Sequence, residues 1–292
     1  MEQVGQALVT IAIGVGGCAF WYWISNLVLD AIFPPRGENA GANINKANLI
    51  RPWLFVGPAV VILAAYLIYP VFNTLNRSFM DKTSSNYVGF DNFSWLAADG
   101  KFHEAILNQF LWLLVVPALA TFFGLLAAQL TDRIRWGNFG KSLIFMPMAI
   151  SFVGAGVIWK FVYANSEGNQ IGLLNAIVQA MGGEPQHWLQ LPFWNNFFLM
   201  IVLVWIQAGF AMVILSAALR GIPEDTIEAA IIDGANPFQI FMKIKVPQIA
   251  GTIGVVWTTI TITVLKVFDI VYVMTNGEWG TQVLANMMYD LL

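Results

Sequence analysis

The stretch Pro223-Glu-Asp-Thr-Ile-Glu228-Ala229-Ala230-Ile-Ile-Asp233-Gly234-Ala-Asn-Pro-Phe-Gln-Ile-Phe-Met-Lys-Ile244-Lys-Val-Pro247 is a polar interruption between two long apolar runs, 194–219 and 249–275. Pro223 followed by Glu224, Asp225 and Glu228 suits a helix start, where Pro needs no partner and acidic groups meet the positive end of the dipole. Ala229 and Ala230 are small enough to let another surface approach closely. In Asp233-Gly234-Ala-Asn-Pro237 the Gly and the Pro end that helix and turn the chain. A second helical piece, Phe238 to Ile244, then runs to Pro247. The stretch therefore predicts a short helix–turn–helix between two segments of membrane length.

The composition agrees. The chain is 58% hydrophobic and 11% charged, with 12 Trp and 22 Phe, whereas soluble domains carry roughly 25% charged residues. Its solvent is lipid, and aromatic rings favour bilayer interfaces. The net charge of −3 and the lack of a basic run argue against a nucleic-acid partner. The single Cys18 excludes an internal disulfide and any multi-Cys metal site. Six stretches are long enough to cross a bilayer, which takes about 20 helical residues: 4–32, 53–72, 107–130, 142–163, 194–219 and 249–275. The first lacks a basic leader and is too long for a signal peptide, so it reads as an uncleaved helix.

Loop charge sets the direction of insertion. One set of loops carries nine basic residues, Arg36, Lys46, Arg51, Arg133, Arg135, Lys141, Arg220, Lys243 and Lys245, and the other set carries three, Arg77, Lys82 and Lys101. The polar stretch is therefore predicted in the cytoplasm and the N-terminus outside. The outer loops read as partly structured: Tyr87 to Phe93 is turn-rich with aromatic anchors. Gly168, Gly172, Gly182 and Gly183 punctuate a second loop, in which Ile171 to Met181 forms a short surface helix.

The pattern Glu228-Ala229-Ala230, three residues, Gly234, nine residues, Ile244, one residue, Val246-Pro247 resembles the EAA loop of permease subunits of ABC importers. Val246 stands where the family has Leu. Further segments are similar to carbohydrate-importing permeases of the maltose type: Phe145 to Tyr163, Ala217 to Pro223, Tyr69 to Phe79, and Leu265 to Gly277 with Gly280-Thr281 beyond. The resemblance covers about residues 51–292 and is nearest in feel to α-glucoside permeases. It implies an all-α membrane protein, a type I ABC importer helix bundle with about six transmembrane helices. Residues 1–50 would be an extra N-terminal helix and cytoplasmic linker, and 51–292 the permease domain, with the EAA loop at about 220–248. Family members usually end with one more membrane helix, so a final helix is expected to be missing after Met287-Met-Tyr-Asp-Leu-Leu292.

The resemblance also implies a role and partners. The chain would be a multi-pass protein of a bacterial or archaeal cytoplasmic membrane, forming half of a sugar path. It would pair with a second permease, two ATPase subunits and an extracytoplasmic sugar-binding protein. Glu228, Ala229, Ala230, Asp233, Gly234, Ile244 and Pro247 would seat the coupling helix on the ATPase. The chain would need no cofactor of its own; ATP and Mg would be used by the ATPase, because no G-x-x-x-x-G-K-[ST] loop is present here.

Within the spans, Lys266 and Asp269 are three apart and so expected on one helical face. Each ionisable group costs about 2.5–3.5 kcal/mol in the bilayer on insertion scales, so the pair either lines the path or neutralises itself. Gln207, Gln129, Asn108 and Gln109 line a cavity or bridge helices. Trp159, Tyr163, Trp205 and Tyr272 could stack on sugar rings, whereas Trp112, Trp188 and Trp194 suit the interfacial belt. Pro117, Pro147, Gly154 and Gly156 suggest kinks or close helix contacts. A secondary transporter would show inverted repeats with broken helices, and neither is visible in the sequence. An intramembrane enzyme lacks support, since His103 and His187 fall in outer loops and no nucleophile sits beside a base.

Overall fold

The computed structural model describes residues 2–37, 40–132, 134–166 and 170–292; Arg133 and Gly168, used above, lie outside the described residues. The chain forms two compact units, Met1–Trp95 and Leu96–Leu292. The division anticipated near residue 50 falls inside a helix.

In the first unit α1 (Glu2–Ile32) packs on α2 (Ala40–Leu63). Tyr22 stacks on Phe55 with ring centroids 4.6 Å apart, the Trp21 indole donates to the Leu54 carbonyl, and Arg51 pairs with Asp30 at 3.2 Å. The second span starts earlier than hydropathy suggests, so Lys46 and Arg51 are helical rather than in a loop. It continues through a π turn, Ala64–Ile68, into α3 (Tyr69–Arg77). Pro70 explains the widened turn: it has no N–H to donate and its ring crowds the carbonyl four residues back. Beyond α3, the Asp81 carboxylate accepts from the Thr83 and Ser85 amides and from Asn86. These hydrogen bonds lower its pKa to about 2. Phe79, Phe90 and Phe93 form the aromatic anchor of this turn, and α4 (Asp91–Ala98) follows.

In the second unit Asp99 caps α5 (Gly100–Thr131) through the Lys101 and Phe102 amides. This cap places His103 in the first turn of α5 instead of in a loop. The fourth expected span is not one helix: α6 (Gly137–Phe145) and its 3₁₀ extension Met146–Ala149 meet α7 (Phe152–Val162) at 105°. Pro147 withdraws a donor, Ile150 is extended, and the Ser151 hydroxyl restarts the helix by accepting from Gly154 N at 3.1 Å. A two-residue antiparallel pair, Asn165–Ser166 with Gln170–Ile171, leads to α8 (Leu173–Ala180).

Next come α9 (Trp194–Arg220), α10 (Glu224–Ile232), α11 (Pro237–Ile240), α12 (Val246–Gln248) and α13 (Ala250–Leu265), closed by α14 (Asp269–Met274) and α15 (Leu284–Asp290). The sixth expected span is also broken. The run Pro237–Gln248 bends 70° into α13, and α13 stops at Leu265 instead of continuing to 275. By length and composition α1, the α2–α3 helix, α5 and α9 can each cross a membrane, and the two bent pairs bring the number to six.

The core is built around α9, which buries Leu199, Leu203, Met212 and Leu215. Trp112 of α5 is fully buried there, donating to the Asn196 side chain, rather than lying in an interfacial belt. Small residues let backbones touch. A Cβ on Gly124 would fall 2.4 Å from that of Ala211, and one on Gly209 would fall 2.6 Å from the Ile144 carbonyl. Gly124→Val and Gly209→Val are therefore expected to lower stability by about 1–3 kcal/mol each through overpacking. Thermal unfolding of the detergent-purified protein measures this, and an unshifted midpoint for either variant would contradict the packing described.

Candidate functional site

The helix–turn–helix is present. Glu224 and Asp225 occupy the first turn of α10. At its end Gly234 has φ +80°, with Ala235 N donating to Ala230 O at 2.9 Å and Gly234 N to Ile231 O at 3.0 Å. These two bonds make a Schellman cap, which a residue with a Cβ enters only under strain. The Asn236 and Gln239 side chains then cap α11 reciprocally. A π turn, Phe241–Lys245, precedes Pro247 just as the earlier one precedes Pro70.

Glu228, Ala229, Asp233, Gly234 and Pro247 are exposed, and Ile244 is half-buried. Ala230 is not part of that outer surface: it is 7% exposed and faces its own fold. The apolar groups the pattern left out are Ile231, Ile232 and Phe238, with Ile232 85% and Phe238 72% exposed. Their signal was apolar character at the two ends of an otherwise polar element.

At the root of this element lies a clamp that loop-charge counting passed over. Asp132, just past α5, accepts from Lys141 of α6 and from Arg220 of α9 at 2.8 and 3.1 Å, with Ser216 at 3.3 Å. Burial raises the Asp132 pKa, but Lys141 and Arg220 outweigh it and the net direction is down. Three helices are thereby tied together four residues before α10 begins.

The polar residues within the spans divide by role. Asn108 donates to the carbonyls of Gly280 and Gln282, and Gln109 to that of Val264 at 3.0 Å, so both bridge elements. Gln207 is 8% exposed, makes no hydrogen bond among the described residues, and lines two adjoining cavities of about 400 and 440 Å³. Lys266 and Thr263 line the first and Ser151 the second, while Asp269 lines both. The expectation that Lys266 and Asp269 share one helical face is corrected, because the helix breaks between them. Lys266 ends α13 with non-helical angles, Asp269 opens α14, and neither makes an ion pair among the described residues.

The aromatic candidates lie elsewhere. Trp159 packs on Tyr163 and Trp205 at 5.2 and 5.7 Å between α7 and α9, and the Tyr163 hydroxyl donates to the Phe198 carbonyl. Tyr272 stacks on Phe268, a wall residue of the 400 Å³ cavity, and meets Tyr289. Gly156 makes a close helix contact, against Val273. Among the described residues no group of three His, Cys, Asp or Glu side chains could hold a metal ion.

Residues 120–292 match the family described as binding-protein-dependent transport system inner membrane component. The chain belongs to this family. It is a multi-pass membrane permease rather than an enzyme. It is 65% identical to the alpha-glucoside transport system permease protein AglF of Rhizobium meliloti, over 99% of this chain and 88% of the relative. Identity to the osmoprotective compounds uptake permease protein GgtC of Synechocystis is 51%, over 80% and 85%. The lactose transport system permease protein LacF of Rhizobium radiobacter is 31% identical, over 83% of each chain. A bacterial ABC transporter for the import of the acidic polysaccharide alginate shares the fold, with a TM-score of 0.70 at 22% identity and 87% coverage of both chains.

Two expectations follow. Because Gly234 has open space around it, its requirement is the left-handed backbone. Gly234→Asn, which tolerates that region, should lower the thermal unfolding midpoint less than Gly234→Val, and equal loss would contradict the backbone requirement. For Asp132 the folded pKa lies below the unfolded value of about 3.9, so its contribution is present above that value and fades as pH falls through the folded pKa. With Arg220 61% exposed, Asp132→Asn should cost about 1 kcal/mol or less. It should also remove the part of the acid-induced stability loss below about pH 4 that depends on this carboxylate. Unfolding midpoints at pH 3 to 7 report both effects.

Proposed function

We propose that this chain is a permease subunit of an ATP-driven importer of α-glucosides, forming half of the translocation path. One observation carries the reading: 65% identity across 99% of the chain to a permease named for alpha-glucoside transport. The maltose-type resemblance and the LacF relative support the broader class, di- and oligosaccharides. The partners would be a second permease of the same fold, two ATPase subunits using ATP and Mg, and an external sugar-binding protein. That last partner is supported by a solved relative in complex with an alginate pentasaccharide-bound periplasmic protein.

The α10–α11 element faces the cytoplasm and the N-terminus faces outward, as the loop charges argue. Exposed Ile231, Ile232 and Phe238, beside Glu228, Ala229 and Gly234, form the surface seated on the ATPase. ATP closes the ATPase dimer, which binds one orientation of α10 better than the other. That difference in affinity shifts the permease toward the outward-open state. The Asp132–Arg220–Lys141 clamp carries the displacement into α5, α6 and α9. Gln207, Lys266, Asp269 and Thr263 present amide, charge and hydroxyl to sugar hydroxyls.

The test is ATP-dependent maltose uptake by the assembly reconstituted from native partners. Uptake without ATP, or purification with no ATPase, would overturn the reading. Gln207→Ala is expected to lower uptake about tenfold, roughly 1.4 kcal/mol. Since Lys266 and Asp269 form no ion pair, their Ala variants should have additive effects, and a double variant milder than either single one would contradict that.

A further inference from the structure

The turn between α14 and α15 is held in an unfavourable backbone conformation. Asn276, Gly277, Trp279 and Gly280 all have positive φ, at 54°, 76°, 57° and 80°. Two of them, Asn276 and Trp279, carry side chains, and a bulky aromatic rarely occupies the left-handed region unless its surroundings hold it there. Here they do. The Asn195 amide donates to Trp279 O at 2.6 Å, and Asn196 and Asn108 each donate to Gly280 O at 3.0 Å. The Thr281 hydroxyl donates to Glu278 O at 2.7 Å. Asn195 and Thr281 are fully buried and Asn196 is nearly so. Amides from both α5 and α9 thus converge on a turn whose large side chain, Trp279, remains 50% exposed with no hydrogen bond or ring partner among the described residues.

The ring of Trp279 lines a cavity of about 840 Å³ together with Lys160, Asn165, His187, Trp188 and Gln190. The Trp188 indole is fixed by its N–H to Asn175 Oδ1 at 2.9 Å, and Lys160 donates to the Val273 carbonyl. The side chains of Asn165, His187 and Gln190 have no hydrogen-bond partner among the described residues. No wall residue is shared with the Gln207 cavities. The two sites lie in series: α7 runs from Phe152 at the Gln207 cavities to Tyr163 at this one, about 16 Å away at 1.5 Å per residue. α14 likewise begins at the first with Asp269 and reaches the second at Met274.

Two indoles, two amides and an imidazole, with a single cation already engaged, suit an uncharged polyhydroxylated ring better than an anion or a purely apolar ligand. We infer that this cavity is an outer glycosyl subsite in which a sugar ring rests on Trp279 before moving to the Gln207 cavities. The inference rests on the carbohydrate-import reading. The pinned turn fixes the backbone that presents the indole, so that only its two side-chain torsions remain to be ordered on binding.

The test uses the full assembly in nanodiscs, radiolabelled maltose and no binding protein, with Gln207→Ala introduced to silence the inner cavity. Trp279→Gly is the informative variant, since it relieves the left-handed strain while removing the ring. Thermal stability at least equal to the parent, with maltose affinity weakened about tenfold, is the expected result, and Trp279→Phe should recover part of the affinity. Unchanged affinity in Trp279→Gly, or no maltose binding once Gln207 is replaced, overturns the subsite while the import reading stands. Absence of ATP-dependent uptake of any α-glucoside by the parent assembly would instead remove the import reading, and this inference with it.

Discussion

A backbone that stops being helical within a bilayer must find its hydrogen bonds inside the protein, and the arrangement of the second unit follows from that constraint. Two of the six stretches expected as spans are interrupted, 142–163 at Ile150–Ser151 and 249–275 at Lys266–Phe268. The first break is closed by the Ser151 hydroxyl on the new helix. At the second, the chain closes its own last turn, Lys266 N donating to Thr263 O and Val267 N to Val264 O, and Gln109 reaches across from α5 as a second donor to the Val264 carbonyl. Farther along, Asn108, Asn195 and Asn196 do the same for the turn after α14. The buried amides of α5 and α9 are thus committed to broken backbone, which leaves Gln207 as the α9 amide facing open space.

This commitment makes α5 and α9 a rigid pair. Their backbones touch at Gly124, their amides hold the segments around α13 and α14, and their ends meet in the Asp132–Arg220 clamp. On the proposed coupling, a push on α10 would reach α9 through the short link Gly221–Pro223. The half-helices α7 and α14 are short, packed on one another through Gly156 and Val273, and bounded by breaks. The fold divides into a pair of long, closely packed helices and short elements whose ends line the cavities.

The helix–turn–helix was legible because its information is local. A Pro start, acidic first turn, Gly stop and second Pro fix a helix–turn–helix through neighbours in sequence, and six apolar runs fix the number of spans. The breaks were not legible in hydropathy, because 142–163 and 249–275 remain apolar on either side of them. Pro147 warned of a kink, yet a bend of 105° also needs Ser151 to act as a cap. The break after Leu265 is braced by Gln109, which adds a donor to the Val264 carbonyl from 155 residues away. Lys266 and Asp269 looked like neighbours on one helix only while that helix was assumed to continue. The aromatic candidates scattered for a related reason: residue type names rings able to stack on sugars, but helix rotation decides which are already occupied by Phe198, Phe268 or Tyr289.

The separation of Lys266 from Asp269 bears on what the inner cavity contains. A self-neutralising pair could be dry, since each charge would answer the other. Two charges without an ion pair would each cost about 2.5–3.5 kcal/mol against lipid. That cost is avoided only where water or polar groups reach them, and Lys266 is exposed while Asp269 borders both cavities. A hydrated cavity at the broken end of α13 follows from this, and it places irregular backbone where membrane proteins tolerate it, along a water-filled space. On the proposed import reading, a hydroxyl-rich solute moving through such a space would exchange hydrogen bonds with water for hydrogen bonds with Gln207, Thr263 and the two charges, so neither its arrival nor its departure would require dehydration in an apolar wall.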